Sequence, residues 1–187
     1  MEHSGILTAL SVVLMVATQV NAQASNSDKT EPVTVDSVDL SRYIGTWYEI
    51  AKIPNTFQKK CARNTTATYT LRDDGEIDVV NRCEKSDGSE SVANGIAKVV
   101  DPKTNAKLEV SFVRILGIQL FWGDYWIIGL DRNYRYAVVG TPSRKYGWIL
   151  SRTPVLPAAD LEVIRDILRN QGYDPGAFVP TEQTERR

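Results

Sequence analysis

Eight short strand-forming runs follow one another between Leu40 and Arg152, and they limit the possible folds more than any other feature of the chain. Most are rich in β-branched and aromatic residues, and they are separated by turn sequences such as Asp73-Asp74-Gly75. No helical pattern interrupts them, so consecutive strands are predicted to be antiparallel. The runs cover residues 44–52, 64–72, 76–84, 91–100, 107–114, 125–131, 134–140 and 146–152.

Eight antiparallel strands joined in chain order predict an all-β fold, an up-and-down β-barrel. Closing the sheet into a barrel removes both of its unpaired edges. An eight-stranded barrel has an interior wide enough for one small ligand. A β-sandwich is the alternative, but its Greek-key connections are disfavoured by the short loops of this sequence.

One helix is predicted after the strands, over residues 154–172. Leu161, Ile164 and Leu168 have the i, i+3, i+7 spacing of an apolar helical stripe. Pro157 suits the first helical turn, and Gly172 suits the C-terminal cap. We expect this C-terminal α-helix to bury its stripe against the outside of the barrel.

The N-terminal residues have the pattern of a secretory signal peptide. An apolar run from Ile6 to Val20 precedes small residues, which predicts cleavage after Ala22 or Ala24. The segment before the run has no Lys or Arg, so an uncleaved anchor remains the alternative. No Cys follows the run, so the attachment residue of a lipoprotein is not seen. The predicted organisation is a signal peptide over residues 1–22, a flexible leader over 23–39, the barrel with its helix over 40–181 and a tail over 182–187.

Charge and composition exclude several classes of protein. The chain has 22 Lys and Arg against 23 Asp and Glu, whereas a nucleic-acid-binding protein needs a basic surface. The single His is His3, inside the predicted signal peptide. The mature chain would therefore lack His for catalysis or for metal binding. We expect no metal, no cofactor and no nucleic-acid partner.

Three segments in order resemble the signature motifs of the lipocalins. They are Gly45-Thr46-Trp47 on the first strand, residues 130–134 between the sixth and seventh strands, and residues 146–152 on the last. The likeness covers about residues 40–181 and is strongest to lipocalins of the bacterial outer membrane (Blc type) and then to apolipoprotein D. It implies a structural role for Gly45, Trp47 and Arg152, with the Arg152 guanidinium over the indole. Such a contact stabilises by about 0.5–2 kcal/mol.

The resemblance also implies a ligand pocket inside the barrel. Alternation along the strands places Glu49 and Ala51 on the inward face with Trp47, and it adds Arg114 to the inward set. Lys85 and Arg114 are candidates for contact with a carboxylate or phosphate head group, or else solvated charges at the rim. The alternative for the aromatic residues is that they only fill the barrel core. Matched to the family, the pocket residues are Tyr69, Asn81, Lys85, Phe112, Tyr125 and Trp148.

Cys61 and Cys83 are the only cysteines of the chain. An even number of cysteines behind a signal peptide predicts a disulfide bond in an oxidising compartment. Strand directions place both cysteines near the open end of the barrel. The alternative is a pair of buried free thiols.

The segment between the fifth and sixth strands, residues 114–125, is apolar although it should be a loop. It contains Ile115, Leu116, Ile118, Leu120, Phe121 and Trp122. Loops are normally polar, and an exposed apolar patch often marks a contact site. We predict that Phe121 and Trp122 contact a membrane surface or a partner at the barrel mouth. A homodimer contact and simple extension of the strands are the alternatives.

These observations predict a lipid-binding protein and not an enzyme. The resemblance implies storage or transport of fatty acids or lysophospholipids in the periplasm or at the outer membrane, or in a secreted form. The alternative is a lipid-modifying enzyme, for which Glu49, Tyr69 and Cys83 are the candidate catalytic residues. A haem or siderophore carrier is a third reading, but an anionic siderophore needs more inward basic residues than Lys85 and Arg114.

Overall fold

The computed structural model describes residue 1 and residues 30–184. All but the first residue of the predicted signal peptide therefore lies outside the described residues. The described residues from Glu31 onwards belong to one compact unit. Its elements in chain order are α1 (Leu40–Tyr43), β1 (Gly45–Lys52), β2 (Arg63–Leu71), β3 (Ile77–Glu84), β4 (Glu90–Val99), β5 (Lys107–Ser111), β6 (Val113–Ile115), β7 (Ile118–Leu120), β8 (Gly123–Leu130), β9 (Tyr136–Gly140), β10 (Gly147–Ser151), α2 (Ala158–Asn170), a 3₁₀ turn (Pro175–Ala177) and β11 (Val179–Pro180).

The main sheet closes on itself as an antiparallel barrel. Strands β1, β2, β3, β4, β5, β8, β9 and β10 pair in that order, and β10 returns to pair with β1. The predicted eight-stranded fold is therefore confirmed. Three predicted runs are longer than the observed strands by two or three residues. The fifth ends at Ser111, the seventh begins at Tyr136 because residues before it form a turn, and the eighth covers only Gly147–Ser151. Residues 113–120 form a separate hairpin, β6–β7, where a loop was predicted.

Two β-bulges reverse the side-chain direction that simple alternation predicts. In β1 the pairing shifts between Glu49 and Ala51, and Ala51 packs in the outer core instead of facing the cavity. In β8 the pairing shifts between Ile127 and Gly129. Position 129 faces the helix outside the barrel, because a Cβ added there would lie 2.9 Å from the Ile167 side chain. The prediction that Ala51 faces inward was wrong, because a bulge adds one residue to a strand and turns the following side chains over.

The helix α2 covers the outer faces of four barrel strands, as predicted. Ile164 and Leu168 are fully or almost fully buried against side chains of β1, β8, β9 and β10. Pro157 is the N-cap rather than a residue of the first turn. Gly172 has a φ of +75°, which suits the position after the helix. Within the described residues, neither helix is long and apolar enough to cross a bilayer.

Both ends of the folded unit extend beyond the predicted limits. The leader was predicted to be flexible as far as Asp39, but Val38 is buried in the inner core, and the Val35 amide donates to the Ile127 carbonyl at 3.0 Å. The tail was predicted to begin at residue 182, yet the Asn64 amide donates to the Glu182 carbonyl at 2.8 Å. Short apolar and polar segments of this kind gain order from the barrel, not from their own sequence.

The C-terminal segment, residues 179–184, lies between β1 and β2 near the open end. β1 and β2 pair with each other only from Gly45 to Tyr48 of β1. Beyond that point β11 pairs with Ala51 and Lys52 of β1. The Gln183 amide donates to the carbonyls of Glu49 and Thr65, at 2.8 and 2.9 Å. The segment therefore completes the barrel wall where these two strands separate.

Candidate ligand-binding site

The closed end of the barrel is sealed by Trp47 and Arg152. Trp47 is fully buried, and its Nε1 donates to the Tyr43 carbonyl at 2.8 Å. Gly45, at a φ of +94°, begins the strand below the Arg152 side chain. The Arg152 guanidinium lies 3.8 Å from the centre of the indole ring. It also donates to backbone carbonyls at 2.7–3.0 Å, those of Arg42, Tyr43, Ile44 and Thr46.

Three tyrosine hydroxyls meet inside the barrel next to this seal, and we call them the tyrosine triad: Tyr43, Tyr69 and Tyr125. The Tyr125 hydroxyl lies 2.8 Å from that of Tyr43 and 3.0 Å from that of Tyr69. They come from α1, β2 and β8, so only barrel closure brings them together. Burial raises the pKa of all three, that of Tyr69 to about 12. They are therefore protonated at neutral pH and act as hydrogen-bond donors.

Small side chains line the inner wall between the triad and the mouth. Asn81 of β3 pairs with Ala67 of β2 on one side and with Ala93 of β4 on the other. Val79 of β3 pairs with Gly95 of β4. Val79 belongs to the inner core, and directly paired residues share a face of the sheet. These positions therefore all face the interior. Their small side chains leave space inside the barrel for a ligand.

Two polar atoms of this wall have no hydrogen-bond partner among the described residues. They are Oγ1 of Thr65 and Oδ1 of Asn81. Thr65 is only 5% exposed, so bulk water does not solvate it. A buried polar group without a partner costs about 1–3 kcal/mol, and such groups are few in native proteins. Both atoms are shielded from solvent, so they are buried polar groups that the fold leaves without a partner among the described residues.

Aromatic side chains form one side of the mouth. Trp148 is half-buried on β10, and its ring lies 6.3 Å from that of Tyr146 and 6.4 Å from that of Phe57. Its Nε1 donates to Oε1 of Gln58 at 3.1 Å. Phe57 and Gln58 belong to the loop between β1 and β2. This predicted pocket residue therefore lies at the entrance, under a loop that bends across the mouth.

Glu49 is a buried carboxylate with compensating partners. It is 3% exposed, and its Oε1 accepts from Lys52 Nζ at 2.5 Å and from Thr181 Oγ1 at 2.6 Å. Its Oε2 accepts from Gln58 Nε2 at 2.7 Å. Because Gln58 also bonds Trp148, Glu49 links the C-terminal segment to the rim of the mouth.

Phe112 lies against β4 where the cavity opens. A Cβ added to Gly95 would lie 2.6 Å from the Phe112 ring, so the glycine makes room for that side chain. Arg114 is exposed in the hairpin, and its Nε donates to the Gly117 carbonyl at 3.2 Å. Lys85 is half-buried in the turn after β3. Both predicted head-group residues therefore lie at the open end, and Arg114 folds onto its own hairpin.

The hairpin β6–β7 at the mouth exposes large apolar side chains. Leu116 is 97% and Phe121 79% exposed, and Ile115 and Ile118 are also exposed. Trp122 differs, because it is half-buried with Lys98 Nζ 4.1 Å from its ring. The predicted pair Phe121 and Trp122 therefore divides into one exposed side chain and one held against the barrel wall.

The predicted disulfide bond between Cys61 and Cys83 is confirmed, with its Cα atoms 5.4 Å apart. It joins the end of the β1–β2 loop to β3.

The candidate catalytic residues are not placed for catalysis at neutral pH. Both sulfurs are in the disulfide bond, so Cys83 has no thiolate to act as a nucleophile. Glu49 is fully paired and Tyr69 is a phenol with a raised pKa, so neither is placed as a base at neutral pH. Within residues 30–184 no group of three metal-ligating side chains occurs.

Comparison with known proteins agrees with this geometry. The model of the lipocalin-like domain family matches residues 38–183. This chain belongs to the lipocalin family. It is 39% identical to temperature-induced lipocalin-1 of Arabidopsis thaliana over 162 residues, 85% of this chain and 87% of the relative. It is also 39% identical to the outer membrane lipoprotein Blc of Escherichia coli K12, over 80% of this chain and 81% of that protein.

The similarity extends to animal proteins. It is 32% identical to apolipoprotein D of Macaca fascicularis over 82% of each chain. The solved structure of insecticyanin from Manduca sexta matches with a TM-score of 0.64 and 24% identity, over 83% of this chain and 85% of that one. That likeness shows the fold. The resemblance predicted from the three motifs is confirmed, and membership of this family supports binding of a small hydrophobic ligand.

Four residues of the site were not selected from the sequence: Tyr43, Gln58, Thr65 and Gly95. Thr65 had a usable signal, since it shares the inward face of β2 with Tyr69. Tyr43 and Gln58 had none, because they lie outside the barrel strands. Gly95 has no side chain, so its role appears only through Phe112.

Proposed function

We propose that this lipocalin stores or transports fatty acids or lysophospholipids, with the acyl chain inside the barrel and the head group at the mouth. The observation that supports the proposal is the row of small side chains between the tyrosine triad and the mouth, which favours an open interior. Small side chains on β2–β4 face Leu150, Val139 and Trp148 on the other side of the barrel. Burial of an acyl chain there contributes about 0.8 kcal/mol per CH₂ group.

The head group is proposed to meet Lys85, with Arg114 close to the opening. Both bases lie at the open end, where an anionic head group can keep part of its hydration. A closed floor and an open mouth favour entry of the chain by its apolar end. This orientation is the same for a fatty acid and for a lysophospholipid, since both carry their charge at one end.

Fluorescence titration of delipidated protein tests the proposal. Hexadecanoate should quench tryptophan fluorescence along a saturable curve, with micromolar or tighter affinity, on the order of −8 kcal/mol. Trp148→Ala should weaken binding at least tenfold, because that side chain lies at the entrance. Trp122→Ala is the matched control, since its ring lies against Lys98, and it should leave affinity unchanged. Absence of binding by any acyl lipid would overturn the proposal.

We also propose that the hairpin contacts a lipid surface during transfer. Leu116 and Phe121 carry the contact, because they are the most exposed large apolar side chains of the mouth. Trp122 is a minor contributor, because it is half-buried under Lys98. An apolar surface beside the entrance shortens the path of an insoluble ligand through water.

The hairpin offers a substitution that removes apolar surface without straining the backbone. Leu116 and Phe121 both have positive φ angles, 51° and 58°, which asparagine adopts more easily than either. Leu116→Asn with Phe121→Asn should therefore preserve stability and equilibrium affinity, but slow transfer to vesicles several-fold. Val155→Asn, an exposed valine after β10, is the control. Unchanged transfer would reject the contact, and loss of a dimer in the variant would identify the hairpin as a homodimer surface.

The proposed location is the cell envelope, in the periplasm or as a secreted protein, associated with the outer membrane. The disulfide bond supports an oxidising compartment. The predicted signal peptide and the name of the Blc relative agree with it. Mass spectrometry of protein from its own cells should find the N-terminus at residue 23 or 25. A chain that still begins at Met1 would contradict cleavage.

A further inference from the structure

The tyrosine triad has one more hydroxyl hydrogen than it has hydrogen bonds between its members. Each of the three hydroxyls carries a single hydrogen, and two hydrogen bonds join them. If Tyr125 accepts from both neighbours, its own hydrogen is left over. If Tyr125 donates to one neighbour, that neighbour's hydrogen is left over. One O–H hydrogen therefore remains unpaired in every arrangement within residues 30–184.

This unpaired donor lies inside the barrel, at the closed end of a wall of small side chains. Tyr43 is 4% and Tyr69 8% exposed, so solvent does not satisfy them from outside. Towards the mouth, the neighbours of Tyr69 on its own face are Ala67 and Thr65, which are small. Raised pKa values keep the hydroxyls protonated at neutral pH. The floor of the cavity therefore presents a hydrogen-bond donor to whatever fills it.

The same wall carries the other unpaired polar atoms. Thr65 Oγ1 and Asn81 Oδ1 lie on β2 and β3, between the triad and the mouth. The opposite wall is apolar, with Ile127, Val139 and Leu150 in the inner core. A plain hydrocarbon chain would leave every one of these polar groups without a partner. The polar groups of the interior thus lie on the β2–β3 side of the barrel, and at its closed end the group without a partner is a tyrosine hydrogen.

We propose that the cavity selects lipids with an oxygen function at the buried end of the chain, held by the tyrosine triad. The proposal rests on acyl-lipid binding as proposed above and narrows the ligand class. A terminal hydroxyl accepts the unpaired O–H of the triad and donates its own hydrogen to a tyrosine lone pair. A terminal carbonyl accepts the unpaired O–H of the triad but has no hydrogen to donate to a tyrosine oxygen.

Two ligands that differ by one atom test this on the unmodified protein. Hexadecanoate and 16-hydroxyhexadecanoate are titrated separately into delipidated protein. The hydroxy acid should bind at least as tightly as hexadecanoate, and we expect a several-fold preference. An apolar floor would weaken it roughly tenfold or more, because its hydroxyl would be buried without a partner. The isomer 2-hydroxyhexadecanoate places its hydroxyl at the mouth and should show no such preference.

A triple variant tests the role of the triad itself. Tyr43→Phe, Tyr69→Phe and Tyr125→Phe together keep the rings and remove all three hydroxyls. The preference for the 16-hydroxy acid over hexadecanoate should fall at least tenfold in this variant. Tyr48→Phe, which loses a hydroxyl from the outer face of β1, should leave both affinities unchanged. If the triple variant does not fold, the two hydroxy isomers on the unmodified protein decide the question.

The outcomes separate this inference from the proposed function. If hexadecanoate binds and 16-hydroxyhexadecanoate binds tenfold more weakly, selection by the triad is overturned and acyl-lipid binding stands. If the triple variant keeps the preference, the triad is likewise not its source. If neither lipid binds, the acyl-lipid function fails and the inference fails with it.

Discussion

At the closed end of the barrel the polar groups of Trp47 and Arg152 are paired, whereas towards the open end two buried polar atoms have no partner among the described residues. Arg152 donates to four carbonyls and stacks on a fully buried Trp47. Towards the mouth, Thr65 carries an unpaired buried hydroxyl, and Leu116 is almost completely exposed. The difference indicates that residues of the closed end maintain the fold, while the unpaired groups towards the mouth lower its stability, which agrees with the binding role proposed for that end.

The open end is nevertheless held together, by contacts that are distant in sequence. The Cys61–Cys83 bond fixes the β1–β2 loop, and Glu49 ties the C-terminal segment to Gln58. These restraints shape the mouth without filling it. The comparison therefore predicts which substitutions change stability and which change binding.

The largest effect is expected at the closed end, from Arg152→Ala. Loss of four charge-assisted hydrogen bonds and of the stacking should lower the free energy of unfolding by about 4 kcal/mol. Ligand affinity should remain within a few-fold, because the side chain lies below the triad. Urea denaturation and fluorescence titration measure the two quantities. A tenfold loss of affinity at unchanged stability would show that Arg152 acts in binding and not in maintaining the fold.

Removal of the disulfide should have the next largest effect. The bond closes a segment with a sequence separation of 22, for which loop entropy predicts about 3 kcal/mol. Cys61→Ser with Cys83→Ser should lower the free energy of unfolding by that order and should also change ligand affinity, since the loop carries Phe57 and Gln58. Equal affinity in the oxidised and the double-serine proteins would show that the loop does not shape the mouth.

Alkaline pH should weaken the fold through the tyrosine triad, which lies between the two ends. The folded pKa of Tyr69, about 12, exceeds its ordinary value of 10.0, so its contribution is complete below pH 10 and is lost as pH rises to 12. At pH 11 the loss from Tyr69 alone is about 1.4 kcal/mol. Unfolding measured from pH 9 to 12 should show this slope. The triple phenylalanine variant should lose less stability between pH 9 and 12. An equal loss in that variant would show that other groups cause the pH dependence.

The smallest effect is a gain, from Thr65→Val. The substitution keeps the shape of the side chain and removes an unpaired buried hydroxyl, so the free energy of unfolding should rise by about 1 kcal/mol. Thr68→Val is the control, because Thr68 Oγ1 lies 3.0 Å from Thr46 Oγ1 on the exposed face. Thermal melting of the ligand-free proteins measures both. A lower melting temperature for Thr65→Val would show that water already pairs the hydroxyl.

The amino-acid sequence determined the barrel, its outer helix and the residues that seal it. Strand patterns and turns such as Asp73-Asp74-Gly75 act locally, so they can be recognised without the fold. The disulfide could be predicted because only two cysteines exist. The location of both cysteines near the open end also followed, since strand direction alone decides which end of the barrel a residue approaches.

Only the tertiary structure decided which side chains meet. The hydroxyls of Tyr43 and Tyr125 are 82 residues apart in sequence, and barrel closure alone brings them to 2.8 Å. Bulges turned Ala51 and Gly129 outward, because one inserted residue reverses the alternation on which the inward set depends. The C-terminal segment entered the wall because β1 and β2 separate near the mouth and leave backbone groups unpaired. Such contacts depend on distances between strands, which no local pattern encodes.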